Sequence, residues 1–136
     1  MALLEQLDFL YMPSRDVEAD LAFYTEVLGG DVVFAIEAFG ARVARIALDA
    51  DGPALLLADH LEGDAPVLVH RVADLDTALA GLERRGLAVE APFGIPHGPC
   101  VELRAPGGQR LAVYELTRPA ADAYLAGRHD FGPRAG

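Results

Sequence analysis

The chain has 136 residues and a mass of 14.4 kDa, which fits one domain and excludes a mechanism shared between several domains. Hydrophobic residues make up 52% of the sequence, so a globular core is favoured over disorder. The 11 basic and 21 acidic residues give a formal charge of -10, which disfavours a nucleic-acid partner. Such a charge keeps a surface well solvated, and it can also attract a cationic small molecule.

The first half of the chain predicts one strand, one helix and three further strands. The first strand covers residues 5–12 and ends at Pro13. Asp16 is suited to cap the start of the helix, and the Gly29-Gly30 pair is suited to end it. The three strands that follow are expected to form an antiparallel meander over residues 31–37, 42–48 and 54–59.

The second half of the chain predicts the same succession of elements. A strand over residues 66–72 precedes a helix that Asp74 is expected to cap and that Gly86 is expected to end. Three strands are then predicted, and from Pro119 onward the alanine-rich sequence suggests a short helix in a C-terminal tail. The predicted strands cover residues 87–91, 99–104 and 109–116.

An internal repeat relates the two halves. Adding 58 to the positions of Asp16 and Leu21 gives Asp74 and Leu79, so each half has the order strand, helix, strand, strand, strand. Each half is too small to bury its own sheet face. The two sheets are therefore expected to pair and to share a concave surface that holds a small molecule.

Several residue types are rare or missing, and this excludes whole classes of chemistry. The chain has no lysine, one serine (Ser14) and one cysteine (Cys100). A Schiff-base lysine, a P-loop lysine, a GxSxG nucleophile, an intrachain disulfide and a thiolate zinc cage are all excluded. A single cysteine favours a reducing compartment, and Glu5 and Asp8 are unlike a signal peptide. We expect a cytoplasmic protein with no membrane partner.

Three motifs resemble those of the vicinal oxygen chelate (VOC) superfamily, which includes glyoxalase I, bleomycin-resistance proteins and extradiol dioxygenases. They are DVEADLAFYTEVLG, VADLDTALAGLERRG and APGGQRLAVYEL, at residues 16–29, 72–86 and 105–116. The resemblance implies an α+β fold in which two tandem βαβββ modules pair into a cup-shaped mixed sheet. It implies one domain over residues 1–118, and a homodimer to which the tail contributes. Module one would cover residues 5–60, module two 66–116, and the tail 119–136.

The resemblance also implies a divalent metal held by four side chains inside the cup. The corresponding positions here are all apolar, and such side chains cannot bind a metal. We therefore expect no metal and no other cofactor. The four positions are Phe9, Leu56, Val67 and Ala112.

A displaced set of metal ligands is the alternative. Side chains alternate across a sheet, so His70 and Glu115 should face away from the expected metal positions, and bulges in both modules would be needed to bring them back. The available donors are His60, His70, Glu102 and Glu115.

Without a metal, the residues on the same side as the lost ligands would line the cup and bind the ligand. The segment from Phe93 to Cys100 would form a loop at its rim, with Phe93 and His97 as contacts. A His97–Cys100 nucleophilic pair is possible, but a structural cysteine beside a solvated histidine is favoured. The remaining expected lining residues are Phe9, Tyr11, Leu56, Val67, Val69, Arg71, Ala112 and Tyr114.

These expectations favour a metal-independent protein that sequesters or carries an aromatic or cationic compound. The alternative is a divalent-metal-dependent lyase, isomerase or dioxygenase of the glyoxalase or extradiol dioxygenase type. A metal-free enzyme with His97 or Glu102 as general base is a third possibility. The sequence leaves open whether binding leads to chemistry.

Overall fold

The computed structural model of the protein describes residues 3–38 and 40–133. They form eight strands and three α-helices, with one π-helical segment after the first helix. In chain order these are β1 (Gln6–Pro13), α1 (Val17–Ala22), the π-helical segment (Phe23–Val27), β2 (Asp31–Ala38), β3 (Ala41–Ala47), β4 (Ala54–Ala58), β5 (Val67–Val72), α2 (Leu75–Arg84), β6 (Phe93–Ile95), β7 (Gly98–Arg104), β8 (Arg110–Glu115) and α3 (Ala121–Leu125).

The order of the elements confirms the predicted α+β class and its two βαβββ modules. The first module contains β1, α1 and β2 to β4, and the second contains β5, α2 and β6 to β8. Contacts divide the chain into two compact units. Among the described residues, the first-module unit comprises 9–38, 40–66 and 125–133, and the second-module unit comprises 3–8 and 67–124.

In the first-module unit the strands lie in the order β2-β3-β4-β1. β2, β3 and β4 pair antiparallel, which confirms the predicted meander, and β1 pairs with β4 in parallel. The buried side chains of Val17 and Leu21 on α1 pack against Ile46, Leu55 and Leu57 on the strands. The hydrophobic effect of this contact holds α1 on one face of the sheet.

The first helix starts and stops as predicted, but its last part is π-helical. The Asp16 carboxylate accepts a hydrogen bond of 3.1 Å from the Ala19 amide, which confirms the N-cap. Beyond Ala22 the helix widens, and the Leu28 amide bonds to the Phe23 carbonyl five residues earlier. Gly29 then ends the helix with a φ of 78°, a conformation that glycine adopts without steric cost.

In the second-module unit the strands lie in the order β5-β8-β7-β6. β5 and β8 are parallel, and β7 pairs antiparallel with both of its neighbours. α2 packs its Leu75 and Ala78 side chains onto Val72, Val101 and Val113. This contact fixes which sheet face belongs to the core and which face is turned away from α2.

Two predictions in this unit are wrong. Residues 87–91 form no strand, since Val89 packs against the α2 core as part of a loop and the strand begins only after Pro92, at Phe93. Asp74 does not bond to the helix backbone through its side chain, which accepts from the Thr77 hydroxyl at 2.5 Å. The Glu115 carboxylate, from β8, accepts from the Leu75 amide at 2.8 Å instead.

The predicted short helix of the tail is α3, and the chain beyond it joins the first-module unit. The Gly127 amide bonds to the Val33 carbonyl, and Ala35 bonds through both of its backbone groups to Arg128 and Asp130. Phe131 packs against the core of this unit. The tail therefore packs Phe131 against its own chain, whereas Tyr124 on α3 is exposed.

No helix in residues 3–38 and 40–133 is both long enough and apolar enough to cross a membrane.

Candidate functional site

The face of the second-module sheet that is turned away from α2 carries most of the predicted site residues. Residues paired across strands lie on the same side, so Arg71 shares this side with Tyr114, and Val69 shares it with Ala112. The neighbouring Val72 and Val113 point to α2. We call this side the Arg71 face; its residues are Val67, Val69, Arg71, Cys100, Glu102, Arg104, Arg110, Ala112 and Tyr114.

The two expected metal positions on this face are buried and apolar. Val67 is 6% exposed and Ala112 is 2% exposed, so neither offers a donor atom to an ion. In the first-module unit, Phe9 and Leu56 are also buried, at 5% and 1%. Burial of all four side chains gives them ordinary core environments.

Of the alternative donors, His70 and Glu115 face away from these positions, whereas Glu102 lies beside Ala112 on the Arg71 face. His70 pairs in register with Val113 on the α2 side, and Glu115 bonds to the start of α2. The pairing of β5 with β8 runs through six consecutive residue pairs without a shift, so it contains no bulge that would turn them round. His60 is exposed in the first-module unit.

These donors do not form a metal site. Across residues 3–38 and 40–133, no group of three or more His, Cys, Asp and Glu side chains is arranged to hold a metal ion. The donor set therefore does not fit the metal centre that the resemblance implies.

Three polar residues, joined by one hydrogen bond and one ion pair, lie beside the buried apolar positions. The Tyr114 hydroxyl donates to Asp8, and Asp8 Oδ2 lies 3.3 Å from Arg71 Nε as an ion pair without hydrogen-bond alignment. Burial, together with the hydrogen bond to Asp8, raises the pKa of Tyr114 well above its usual value. The tyrosine is therefore protonated at any physiological pH.

Asp8 was not among the site residues predicted from the sequence. The feature that could have identified Asp8 in the sequence is its position as a carboxylate inside the apolar run of β1, between Leu7 and Phe9. A charged residue in such a run needs a partner, and the partner turns out to be Tyr114, 106 positions away. No local spacing could have indicated that partner.

Cationic side chains outnumber acidic ones on the strands of the Arg71 face. Glu102 lies 3.2 Å from Arg110 Nε and 3.8 Å from Arg104 Nη2, so its charge is compensated. Arg71 is the third cation; it forms an ion pair with Asp8, and 27% of its side chain is exposed. The face therefore differs in sign from the chain as a whole, in which acidic residues predominate.

The predicted rim loop is a tight hairpin between β6 and β7. The His97 carbonyl accepts from the Thr117 and Arg118 amides, and the Arg118 guanidinium donates to two carbonyls of the same hairpin. Gly98 is required at its base, because a Cβ there would lie 1.9 Å from the Glu115 carbonyl oxygen. The hairpin is thus held in place by the chain that follows β8.

The prediction of a solvated histidine in this hairpin is wrong. His97 is 2% exposed, and its Nε2 lies 2.7 Å from Asp122 on α3. Its ring lies edge-on to Tyr114, with 6.5 Å between the ring centroids. The hydrogen bonds to residues 117 and 118 fix the backbone of the hairpin, and the contact with Asp122 holds the imidazole inside. Phe93, the other predicted residue of this loop, is 48% exposed.

Cys100 has the environment of a structural cysteine. The side chain is buried, and burial followed by the nearby Glu102 carboxylate raises its pKa to about 12. The thiol is therefore neutral at physiological pH and is a poor nucleophile. This favours the structural role over the nucleophilic pair with His97.

The remaining predicted residues lie in the first-module unit, on the side of its sheet away from α1. Tyr11 pairs in register with Leu56, and its ring lies edge-on to Phe9 at 6.3 Å between centroids. The alternating residues Leu10 and Met12 pack toward α1. Tyr11 is half-buried, so it is the accessible aromatic residue of this group.

A shallow groove at the β2–β3 hairpin of the first-module unit was not predicted. Its described lining residues include Glu37, Arg42 and Asp59. Arg42 is already bonded to Glu18 and lies 2.7 Å from Glu37. The charges of this groove are therefore engaged within the chain.

The sequence matches the model of the Glyoxalase/Bleomycin resistance protein/Dioxygenase superfamily over residues 6–112. No curated protein sequence matches it.

Several solved structures resemble the fold. Methylmalonyl-CoA epimerase from Mycobacterium tuberculosis is 21% identical, with a TM-score of 0.72 over 88% of this chain and 93% of that one. A hypothetical protein from Bacillus halodurans C-125 is 13% identical, with a TM-score of 0.71 over 85% and 96%. A variant of the Streptomyces coelicolor methylmalonyl-CoA epimerase in complex with 2-nitronate-propionyl-CoA is 18% identical, with a TM-score of 0.69 over 85% and 99%. At such identities the likeness concerns the fold alone.

Proposed function

Because the chain belongs to the glyoxalase/bleomycin resistance protein/dioxygenase superfamily, whose fold serves both enzymes and binding proteins, we propose its function from the site itself. We propose that it is a metal-independent small-molecule-binding protein that sequesters or carries an aromatic or cationic compound.

The observation that carries this proposal is the character of the Arg71 face. Val67 and Ala112 occupy the expected ligand positions as buried apolar side chains, while His70 and Glu115 point to α2. An ion placed against valine and alanine would lose its hydration without gaining ligands. Apolar side chains with a few oriented polar groups are instead typical of sites for small organic molecules.

Different observations support an aromatic ligand and a cationic ligand. An aromatic ligand is supported by the half-buried Tyr11 in one unit and the exposed Phe93 in the other. A cationic ligand is supported by the formal charge of -10 of the whole chain. Because the Arg71 face carries more arginines than carboxylates, its local charge favours the aromatic class.

The alternative is a divalent-metal-dependent lyase, isomerase or dioxygenase. Its one point of support on the Arg71 face is Glu102, which pairs in register with Ala112 and so carries a carboxylate beside an expected ligand position. That carboxylate is bonded to Arg110, and an ion would have to displace this partner. The alternative therefore needs a rearrangement that metal-free binding does not need.

A ligand-observed NMR screen tests the proposal. Aromatic, cationic and aliphatic fragments are presented to the protein in EDTA and again with added Mn²⁺, Zn²⁺ or Ni²⁺. We expect aromatic or cationic fragments to bind in EDTA with an affinity that the metals leave unchanged. Binding that appears only with a metal would contradict the proposal and support the enzyme.

A variant pair locates the binding. Tyr11→Ala should weaken an aromatic hit, while Tyr124→Ala serves as the matched control because Tyr124 is 80% exposed. If both variants bind the hit with equal affinity, Tyr11 does not contact the ligand.

We also propose that the protein is a cytoplasmic homodimer. Support for a dimer comes from apolar side chains exposed on the first-module unit, namely Phe23, Val27, Leu28 and Leu48. Light scattering of the wild type and of Val27→Glu tests this, with a dimer expected to weaken in the variant. A monomer at every concentration would contradict it.

A further inference from the structure

We propose that residues 127–131 cap the outer edge of β2, and that this edge, once uncovered, pairs with β2 of a second copy of the chain. We call residues 127–131 the edge cap. The proposal concerns the first-module unit alone and is independent of ligand binding, so it stands or falls separately from the proposed function. It starts from the backbone hydrogen bonds that join the edge cap to β2.

β2 lies at the end of its sheet, with β3 on its inner side. In an antiparallel pair the amide and the carbonyl of one residue point to the same side, and successive residues point to opposite sides. Val33, Ala35 and Glu37 present backbone groups to the outer side. An outer side of this kind is a template for a further strand unless something covers it.

The edge cap lies along β2 as a short added strand. The Gly127 amide donates to the Val33 carbonyl at 2.9 Å, and the Ala35 amide donates to the Arg128 carbonyl at 2.9 Å. The Ala35 carbonyl accepts from the Asp130 amide at 2.6 Å. The bridge at Ala35 is parallel. Both outward backbone groups of Ala35 are therefore engaged by the cap.

The Asp130 side chain completes the cover of this edge. Its carboxylate accepts from the Glu37 amide at 2.8 Å, and so takes the place of a carbonyl on a neighbouring strand. Arg128 holds the carboxylate through two nitrogen atoms, at 3.1 Å and 2.8 Å. The hydrogen bonds from Arg128, and after them the one from the Glu37 amide, lower the pKa of Asp130, so the acceptor stays ionised at neutral pH. Phe131 then packs against the core of the same unit.

The outward groups of β2 are complementary to themselves. If a second copy approaches antiparallel with a two-fold axis at Ala35, each Ala35 amide meets the Ala35 carbonyl of the other copy. Each Glu37 amide likewise meets the Val33 carbonyl of the other copy. The groups that bond to the edge cap would thus all bond to a second β2, and this match favours a copy of the chain over an unrelated strand.

The composition of β2 also favours such a pairing. Residues 32–38 read VVFAIEA, which is rich in β-branched and aromatic side chains and has one charge, at Glu37. In the two-fold arrangement Glu37 lies opposite Val33, so like charges do not face each other. Within its own chain Glu37 lies 2.7 Å from Arg42 Nε. The edge cap therefore covers a strand that a second copy would extend.

Release of the edge cap in the full-length chain tests the proposal. Gly127→Pro combined with Asp130→Pro removes both amide donors and the carboxylate of the cap, and proline cannot adopt the φ of 80° found at Gly127. Light scattering compares this released variant with the chain that has the intact cap, over a range of concentrations. We expect about a twofold larger mass that falls on dilution, because a two-fold contact closes after one pairing. An unchanged mass up to millimolar concentration overturns the proposal.

Two controls separate the edge of β2 from other causes of association. Asp130→Asn keeps the amide and an acceptor oxygen, so its mass should equal that of the chain with the intact cap. If it associates as strongly as the released variant, loss of charge is the cause and the proposal is overturned. All chains carry Val27→Glu, so that association through the exposed Val27 is suppressed in each of them.

Hydrogen exchange identifies the surface that is in contact. The Ala35 amide points outward, whereas the Ile36 amide points to β3. In the released variant the Ala35 amide should exchange rapidly when the protein is dilute and slowly where it associates, while the Ile36 amide exchanges slowly in both. Association that leaves the Ala35 amide unprotected would contradict pairing through β2.

A proline on the edge tests the backbone bonds directly. Glu37→Pro in the released variant removes an outward amide and leaves the bonds to β3 in place, because the Glu37 amide faces the edge cap. Glu37→Ala is the matched control, since it removes the same side chain and keeps the amide. We expect Glu37→Pro to abolish the association and Glu37→Ala to retain it. Equal masses for the two variants would overturn the proposal.

Thermal melting shows whether each variant is folded. If the double proline variant is not, Asp130→Pro alone replaces it, because this substitution leaves the turn at Gly127 and still removes the Asp130 amide and carboxylate. A folded Asp130→Pro variant that keeps the mass of the chain with the intact cap, and keeps a slowly exchanging Ile36 amide beside a rapidly exchanging Ala35 amide at every concentration, would contradict the pairing.

Discussion

The hydroxyl of Tyr114 on β8 donates a hydrogen bond to the carboxylate of Asp8 on β1. Asp8 is 14% exposed and also lies against Arg71. Its carboxylate therefore accepts a hydrogen bond from the tyrosine hydroxyl and forms an ion pair with the guanidinium. Tyr114 is therefore a buried residue that holds Asp8 in place beside Arg71, although the sequence predicted that it would contact a ligand. Hydrogen bonds to a charged group are stronger than bonds between neutral groups.

Tyr114→Phe should destabilise the protein by about 1–2 kcal/mol, because it removes a donor to a largely buried carboxylate. Urea unfolding measures this change. Tyr124→Phe is the matched control, and its free energy of unfolding should stay within about 0.5 kcal/mol of wild type because Tyr124 is exposed. Equal effects of the two substitutions would contradict the role assigned to the Tyr114–Asp8 bond.

The start of α2 should depend on Glu115 more than on Asp74. Glu115→Ala removes the side chain that bonds to the Leu75 amide, and a loss of about 1 kcal/mol is expected. Asp74→Ala removes only a bond to the Thr77 hydroxyl and should cost less. Denaturant unfolding of both variants decides between them, and a larger loss for Asp74→Ala would restore the cap predicted from the sequence.

Cys100 should resist thiol reagents in the folded protein. With a pKa of about 12, its thiolate fraction at pH 8 is about one in ten thousand, so labelling by a disulfide reagent should be slow until urea unfolds the chain. Rapid labelling of the native protein would show that the thiol is exposed.

The same pKa predicts the effect of alkaline pH on stability. The folded-state pKa of Cys100 lies above its unfolded value, so the folded thiol keeps its proton where the unfolded thiol has lost it. The contribution of this group is fully present below the unfolded pKa and declines as the pH rises toward 12. Comparison with Cys100→Ala isolates it, because the variant should lose less stability between pH 8 and pH 11. If the wild type and the variant lose the same amount of stability over this pH range, the raised pKa of Cys100 is contradicted.

Phe131→Ala should loosen the C-terminal segment. Phe131 packs against the first-module core and lies under the Arg42 guanidinium, 5.2 Å from the ring centroid. We expect a loss of about 1–3 kcal/mol and faster hydrogen exchange at the Ala35 amide, which bonds to the Arg128 carbonyl. Unchanged exchange at Ala35 would show that the ring does not hold the segment.

The sequence predicted those parts of the fold that depend on local patterns. The helix start at Asp16, the stop at Gly29 and the repeat of 58 residues gave the two modules in the right order. The alternation of side chains in β5 and β8 also placed His70 and Glu115 opposite Val69 and Ala112, as the register shows. Period-two alternation is independent of the partner strand, which is why it can be inferred from one sequence.

The parts that failed depend on contacts between distant residues. Asp74 is a residue type that often caps helices. The carboxylate of Glu115, 40 positions away, accepts the hydrogen bond from the Leu75 amide instead. His97 was expected in solvent because it lies in a Gly-Pro turn, and the contact with Asp122 holds it inside. Asp8 likewise accepts from the nearby Gln6, but its buried partner Tyr114 is 106 positions away. Local spacing carries no information on such pairings.

The metal content of the purified protein decides whether the site works without a metal ion. The protein is purified without chelator or metal-affinity resin and incubated with Ni²⁺, Zn²⁺, Mn²⁺ or Fe²⁺. After removal of free ions, elemental analysis gives the bound metal per chain. We predict far less than stoichiometric metal in every case, since Val67 and Ala112 offer no ligand, His70 and Glu115 face α2, and Glu102 is bonded to Arg110. About one equivalent of a single metal would contradict the account and would make His60, His70, Glu102 and Glu115 the first residues to test as its ligands.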